Sequence, residues 1–208
     1  MIHHSKSHDE RRGARQPERF NPKRAALLDD PARFEYLPPE EVIRLLAPPP
    51  SAQVLDFGAG TGTYAIEVAR RRPDIQMIAL DEQLEMLTRM RAKPGVSELN
   101  NLRPAAPSEM AEFKGKIDCV MALNVLHEFG DEALQNLRIL LKPDGVALFI
   151  DWNAGVDRPV GPPNDHVYSP AEARERLERS GFRIDLERQF PYHYAFRTYV
   201  APPPLGRK

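Results

Sequence analysis

Three glycines at alternate positions follow a carboxylate at the end of a short apolar run. The carboxylate is Asp56, and the glycines are Gly58, Gly60 and Gly62. Because glycine lacks a Cβ, such a turn can adopt positive φ and bring backbone N–H groups against a bound molecule. A helical pattern over residues 65–72 follows at once, and a helix N-terminus offers unpaired N–H groups to an anionic ligand group. This segment therefore predicts a strand, turn and helix that bind a nucleotide-like ligand rather than an ordinary tight turn.

The spacing of the glycines restricts the ligand. A dinucleotide fingerprint reads G-x-G-x-x-G, and counted from Gly58 it would need a third glycine where Thr63 stands. A second apolar run, residues 76–80, ends in Asp81, about 20 residues beyond the glycines, where a carboxylate that binds ribose is expected. The spacing thus disfavours a dinucleotide as the ligand but still predicts a ligand that contains a ribose. The alternative for Asp81 is a helix-capping carboxylate, since Glu85 follows it.

Four motifs in order resemble those of the class I S-adenosylmethionine-dependent methyltransferases. Residues 56–62, Asp-x-Gly-x-Gly-x-Gly, are similar to the family's first motif. The others are an acidic loop that begins at Asp81, the segment Asn124-Val125-Leu126-His127-Glu128, and a Lys-Pro-Asp-Gly turn, residues 142–145, before a fifth apolar run. The resemblance extends over about residues 20–200, and the four motifs are specific as a set.

The resemblance implies an α/β, Rossmann-like fold. Its sheet would have seven strands in the order 3-2-1-4-5-7-6, with strand 7 antiparallel and helices on both faces. The chain supports this, since strand and helix patterns alternate from Gln53, which is typical of parallel strands with right-handed crossovers. A helix capped by Ser169 and ended by Gly181 comes later, and residues 182–188 and 193–200 then predict a hairpin.

The predicted organisation has two parts. Residues 1–19 are polar and charged without an apolar period, which predicts a mobile arm with no metal site. Residues 20–208 are predicted to form a single methyltransferase domain, large enough to bury a sizeable core. Within it, residues 20–50 would form a helical cover and residues 51–151 the cofactor-binding core. Residues 152–208 would supply an acceptor-side loop, a helix and the C-terminal hairpin.

Matched residue by residue, the resemblance implies which groups hold the methionine end of S-adenosylmethionine. Gly58, Gly60 and Gly62, with Ala59 between them, would allow its close approach. Asp56 would help to hold the amino group.

The nucleoside end is implied in the same way. Asp81 would accept hydrogen bonds from both ribose hydroxyls, Glu82 would pack its aliphatic stem against adenine, and Asn124 would border the cofactor. The third strand is weaker: residues 96–102 predict a poor strand, and residues 103–106 lack the acidic residue with which the family contacts adenine.

Methyl transfer requires little covalent catalysis. The sulfonium is already an activated donor, so holding a nucleophile in line lowers most of the barrier, and a base matters only if the nucleophile must lose a proton. The candidates near the predicted mouth are His127, Glu128 and Asp151. His127 is attractive because the ordinary pKa of histidine lies near neutrality, but the same segment also serves as a structural helix start in which Glu128 and Asp131 would favour the positive N-terminus. We favour that structural interpretation of His127.

The acceptor is expected to be a small molecule. The loop that follows strand five, residues 152–168, is rich in Gly and Pro and is typical of an acceptor pocket. No Asn-Pro-Pro-Tyr-like tetrapeptide, typical of enzymes that methylate base amino groups, follows strand four. Two alternatives stay open: a non-catalytic S-adenosylmethionine-binding protein, and a nicotinamide-dependent oxidoreductase, which the missing third glycine disfavours.

Composition sets further expectations. With a net charge of −1, the protein has no overall positive potential that would attract nucleic acid or an anionic membrane. No run of apolar residues approaches the length of a membrane span. The one cysteine, Cys119, has no partner for an internal disulfide. We therefore expect a cytoplasmic protein without nucleic-acid partners, and the sequence does not indicate its oligomeric state.

Replacing Asp81 with Ala tests the ribose assignment. We predict that S-adenosylmethionine binds more weakly by over ~1.5 kcal/mol, because the change removes a charged acceptor of two hydrogen bonds. Titration calorimetry measures this, and unchanged affinity would contradict the assignment. A parallel titration with NADH distinguishes the oxidoreductase alternative.

Overall fold

A computed structural model describes residues 20–200 of the chain. Its strands are β1 (Gln53–Phe57), β2 (Gln76–Leu80), β3 (Leu102–Ala105), β4 (Ile117–Leu123), β5 (Leu141–Trp152), β6 (Phe182–Gln189) and β7 (His193–Val200). They form one sheet in the order β3-β2-β1-β4-β5-β7-β6. Strands β1 to β5 pair in parallel, and β7 is antiparallel to both β5 and β6. The predicted fold class and strand order are confirmed.

Helices cover the sheet. The α-helices are α1 (Arg33–Tyr36), α2 (Pro39–Leu46), α3 (Thr63–Arg71), α4 (Leu84–Arg91), α5 (Asp131–Leu140) and α6 (Pro170–Arg179). Shorter 3-10 helices span Pro22–Asp29, Val96–Glu98, Pro107–Phe113, Leu126–Glu128 and Asn164–His166. None of the helices within residues 20–200 is long and apolar enough to cross a membrane. The predicted mobile arm, residues 1–19, lies outside the described residues.

Each face of the sheet has its own apolar core, because alternate residues of each strand point to opposite faces. Val54 and Ile150 belong to the core on the face covered by α2 and α3. Leu55 and Phe149, one residue away along the same strands, belong to the core on the face covered by α5 and α6. The central strands are thus buried on both sides, as parallel strands require.

The third strand differs from its prediction. Residues 96–101 do not form a strand; Val96–Glu98 is a 3-10 helix, and β3 begins only at Leu102. Pro104 lies inside β3, where its missing N–H is tolerated because β3 is an edge strand that pairs only with β2. Just before the strand, the Asn101 side-chain amide donates to the carbonyl oxygens of Ala69 and Arg72 at 3.0 and 3.1 Å.

The fifth strand is longer than predicted at both ends. The Lys-Pro-Asp-Gly segment, residues 142–145, expected as a turn, lies within the bounds of β5, where the pairing with β4 is irregular. At the carboxyl end, two further residues join the sheet. Trp152, expected in the loop after strand five, pairs with His193 at the last register position of β5 and β7. Asp151 pairs with Tyr194 in the same ladder. Both side chains are therefore fixed by strand pairing rather than by a loop.

The parallel register brings four chain segments to one edge. Phe57 of β1 is level with Leu80 of β2, and Leu123 of β4 is level with Ile150 of β5. The residues that follow these positions lie at the carboxyl ends of the strands, where open α/β sheets bind ligands. They are Gly58, Asp81, Asn124 and Asp151.

The last glycine of the loop is packed as well as strained. Gly62, with φ of 76°, is the N-cap of α3, and a Cβ there would lie 2.6 Å from the Met90 side chain. We predict that Gly62→Ala lowers the free energy of unfolding by about 1–3 kcal/mol more than Gly115→Ala, since overpacking adds to the cost of positive φ. Gly115 is the matched control, with φ of 66° and nothing within 4 Å of an added Cβ. Urea unfolding without cofactor measures both, and equal losses would contradict the packing.

Candidate active site

The glycine loop adopts the conformation that its sequence predicts. Gly58, Gly60 and Gly62 have φ values of 86°, 56° and 76°, all left-handed. The N–H groups of Gly58 and Ala59 both donate to the Leu80 carbonyl at 2.9 Å. A Cβ on Gly58 would lie 3.0 Å from the Val125 side chain. The loop is therefore folded back against the ends of β2 and β4, and a side chain at Gly58 would press against Val125.

Asp81 connects this loop to α4. One carboxylate oxygen accepts from the Gly60 N–H at 2.7 Å, and the other accepts from the Gln83 N–H at 2.8 Å. Burial raises the pKa of Asp81, while these two hydrogen bonds oppose the rise. Asp81 thus has in part the helix-capping role that the sequence left open, since Gln83, whose N–H it accepts, is the N-cap of α4. A carboxylate oxygen has two acceptor positions, so each oxygen of Asp81 can still accept a hydrogen bond from a ligand. The neighbouring Glu82 is exposed.

Asp56 is a buried carboxyl without a hydrogen-bond partner among the described residues. It is 3 % exposed, and no hydrogen bond to it is present within residues 20–200. Burial and then the charge of Asp81 raise the pKa of Asp56 to about 8, and the Arg33 charge opposes this. A buried carboxyl of this kind needs a proton or a cation. Arg33 on α1 was not identified from the sequence, because nothing in its neighbourhood indicates that α1 folds over β1.

Asn124 has an unusual backbone and an unpaired amide. Its φ is 59°, a left-handed value that asparagine tolerates better than most residues. Its N–H donates to the Ile150 carbonyl at 2.7 Å. The side-chain Oδ1 and Nδ2 are both buried without a hydrogen-bond partner. Buried polar atoms without partners are rare, and this pair lies at the end of β4 where the sequence predicts a cofactor contact.

The structure brings the three catalytic candidates together. His127 Nδ1 lies 2.9 Å from Asp151 Oδ1, and the His127 backbone N–H donates to Asp151 Oδ2 at 2.8 Å. The Trp152 N–H donates to the same carboxylate at 2.7 Å. Asp151 is fully buried. In the neutral ring this contact favours the proton on Nδ1 and leaves the lone pair on Nε2, the arrangement of a general base.

Glu128 lies on the Nε2 side of the His127 ring, whereas Asp151 contacts Nδ1. Its Oε1 lies 3.7 Å from His127 Nε2, and its Oε2 accepts from the Phe20 N–H at 3.3 Å. Burial raises the pKa of Glu128 to about 7, and the His127 charge opposes the rise. The expectation that Glu128 and Asp131 favour a helix N-terminus holds for Asp131, which lies in the first turn of α5, and is wrong for Glu128. Glu128 lies in the separate 3-10 turn Leu126–Glu128.

The segment from Phe20 to Asp29 lies across this cleft. The Phe20 carbonyl accepts from Gln83 Nε2 at 3.1 Å, opposite its contact with Glu128. At the other end, Asp29 accepts from Thr61 Oγ1, Thr63 Oγ1 and Lys93 Nζ at 2.5, 2.8 and 2.5 Å. The helical cover predicted at the N-terminus thus contacts both sides of the cleft.

These features fit a cationic nucleoside. Positive φ at the three glycines turns the loop back on itself, the Asp56 carboxyl has no hydrogen-bond partner among residues 20–200 and needs a positive group, and the Asn124 amide lacks partners. S-adenosylmethionine carries a sulfonium and an ammonium together with a ribose. The donor set is therefore compatible with it.

Comparison with known proteins agrees with this geometry. A family model described as a methyltransferase domain matches residues 31–187. A crystal structure of a SAM-dependent methyltransferase from Aquifex aeolicus superposes with a TM-score of 0.80 at 26% sequence identity, covering 88% of this chain and 100% of that chain.

Two curated relatives match parts of the chain. Trans-aconitate 2-methyltransferase of Deinococcus radiodurans is 32% identical over 111 residues, 52% of this chain and 41% of that protein. Ribosomal protein L11 methyltransferase of Lactobacillus helveticus is 27% identical over 133 residues, 64% of this chain and 38% of that protein. The chain thus spans less than half the length of either relative. By its family match and its fold, the chain belongs to the class I methyltransferase-domain family, whose cofactor is S-adenosylmethionine.

Proposed function

We propose that the protein methylates a small-molecule acceptor whose nucleophile gives its proton to His127. The observation that carries this proposal is the His127–Asp151 pair at the carboxyl ends of β4 and β5. A buried carboxylate that fixes the tautomer and orientation of an imidazole is the arrangement by which a histidine acts as a base. The structural interpretation of His127 accounts for the contact of Asp151 with the backbone N–H, but not for its contact with the ring Nδ1, and the proposal rests on that second contact.

The remaining roles follow from position. Asp56 would take the ammonium group and the glycine loop the methionine backbone. Asp81 would accept from the ribose hydroxyls through its second acceptor positions, with Glu82 near the adenine. Asn124 would complete the cofactor side of the cleft. S-adenosylmethionine supplies an activated methyl group, and the protein positions the acceptor and holds its proton.

A small acceptor is supported by the enclosure of the site. The segment Phe20–Asp29 and helix α1 lie over the cleft, and Phe20 contacts both Glu128 and Gln83. A large substrate would have to displace these contacts. The named substrate of the Deinococcus radiodurans relative is also a small molecule, whereas that of the Lactobacillus helveticus relative is a protein.

Methyl transfer from labelled cofactor tests this function. Purified protein is incubated with methyl-labelled S-adenosylmethionine and cell extract separated into small-molecule, protein and nucleic-acid fractions. We predict label in the small-molecule fraction. We further predict that His127→Phe lowers kcat by about 10²-fold or more, as expected for loss of a general base, while the affinity for S-adenosylmethionine stays the same.

The control is Glu132→Gln, a change on the exposed surface of α5 that should leave kcat unaltered. Label only in protein or nucleic acid would overturn the small-molecule acceptor. Unaltered kcat in His127→Phe would overturn the role of His127. Tight cofactor binding without any labelled product would indicate a non-catalytic binding protein.

A further inference from the structure

The groups that should contact the cofactor are closed to solvent in this structure. Asp56 and Asp81 are 3 % and 8 % exposed, and Thr61 of the glycine loop is fully buried. Both polar side-chain atoms of Asn124 are buried as well. A ligand of the size of S-adenosylmethionine cannot reach these groups from solvent, so part of the cover over them has to move.

The part of the cover that lies across the cleft is the segment Phe20–Asp29, which we call the strap. Its 3-10 helix, Pro22–Asp29, buries only Ala25, and Leu27 is 53 % exposed. A 3-10 helix of eight residues is unusually long, because the hydrogen-bond geometry of such helices is poorer than that of an α-helix. Little apolar contact therefore holds the strap in place, and moving it exposes little apolar surface.

One end of the strap is held by several polar contacts. Asp29 accepts hydrogen bonds from two threonine hydroxyls of the glycine-loop region and from the Lys93 ammonium group, at 2.5–2.8 Å. The Leu28 carbonyl accepts from Thr63 Oγ1 at 2.9 Å and from the Arg33 guanidinium at 2.8 Å. Charged and hydroxyl donors thus meet two consecutive residues, which makes this end the stronger attachment.

The opposite end is attached more weakly. The Phe20 N–H donates to Glu128 Oε2 at 3.3 Å, and the Phe20 carbonyl accepts from Gln83 Nε2 at 3.1 Å. Both distances are longer than those at Asp29, and the contact with Gln83 joins two neutral groups, which gives a weaker hydrogen bond than a charged partner does. The Phe20 end is therefore the end that releases first.

We propose that the strap is the gate through which S-adenosylmethionine enters and leaves, with Leu28–Asp29 as its hinge and Phe20 as its latch on Glu128 and Gln83. Release of the latch frees the strap from both sides of the cleft while the hinge stays attached. The inference goes beyond the proposed function and does not depend on it, because it concerns the cofactor and not the acceptor.

A gate and a binding contact change different rates. If the latch holds the strap equally in the free and the cofactor-bound protein, weakening it raises the association and dissociation rates by the same factor and leaves Kd unaltered. If the strap instead contacts the bound cofactor and does not limit its entry, weakening the latch raises only the dissociation rate and therefore raises Kd.

The first test removes the side-chain donor of Gln83. Gln83→Met removes Nε2 but keeps a side chain of similar length and the backbone N–H that donates to Asp81. We expect the association and dissociation rates of S-adenosylmethionine, measured by rapid filtration with labelled cofactor, both to rise about fivefold at unchanged Kd, as for loss of one neutral hydrogen bond. The matched control is Gln135→Met, which changes an exposed glutamine of α5 and should leave both rates unaltered.

A second pair of variants removes the contact with Glu128. Phe20→Pro lacks the backbone N–H, whereas Phe20→Ala also loses the ring but keeps the N–H. We expect Phe20→Pro to raise both cofactor rates relative to Phe20→Ala, again at unchanged Kd. Hydrogen exchange over residues 20–29, followed by mass spectrometry, should be faster in Gln83→Met than in the wild type, because the strap then opens more often.

Three results would overturn the inference. Unaltered association and dissociation rates in folded Gln83→Met or Phe20→Pro would mean that the strap does not limit cofactor entry. A rise in the dissociation rate alone, with weaker affinity, would make the strap a cofactor-binding contact rather than a gate. Equal changes in the control variants would remove the link between the rates and the latch.

Discussion

Buried negative charge at one edge of the sheet is the constraint on which the site depends. Parallel pairing of β2, β1, β4 and β5 places Asp56, Asp81 and Asp151 at neighbouring strand ends. Burial, and then the Asp81 charge, raises the pKa of Asp56. Burial is also the main cause of the raised pKa of Glu128, and the charges of Asp151 and Asp81 add to it. Two of these groups are compensated from within, Asp81 by backbone N–H groups and Asp151 by His127. Asp56 has no such compensation within the described residues, so the fold favours binding of a positively charged ligand group at this carboxyl.

Positive charge reaches this edge from two arginines. The Arg33 charge acts on both Asp56 and His193, and the Arg158 charge acts on His193. The negative charge of Asp151 has a larger effect on His193 than either arginine. The His127–Asp151 pair lies at the junction of β4 and β5. The N-terminal segment Phe20–Asp29 lies across the cleft, and Phe20 contacts both of its sides through Glu128 and Gln83.

Sequence reasoning succeeded where spacing alone decides the structure. The glycine loop and Asp81 were predictable, because positive φ and a carboxylate at a strand end leave few alternatives. The strand β3 was misplaced, since Pro104 argues against a strand unless the strand is known to lie at the edge of the sheet. Arg33 and the pair of His193 with Trp152 were missed for a different reason. Their neighbours are distant in sequence, and only the β5–β7 register and the position of α1 bring them to the site.

The central claim is that the buried Asp56 carboxyl binds a cationic group of the cofactor. Proton release on cofactor binding tests this claim most directly. With its pKa at about 8 in the free protein, Asp56 is mostly protonated at pH 7, and binding of an ammonium group should displace that proton. Titration calorimetry of S-adenosylmethionine at pH 7, in two buffers of different ionisation enthalpy, measures the protons released. We predict release of about one proton per cofactor by the wild type and little by Asp56→Asn. Binding without proton release in the wild type would contradict the account.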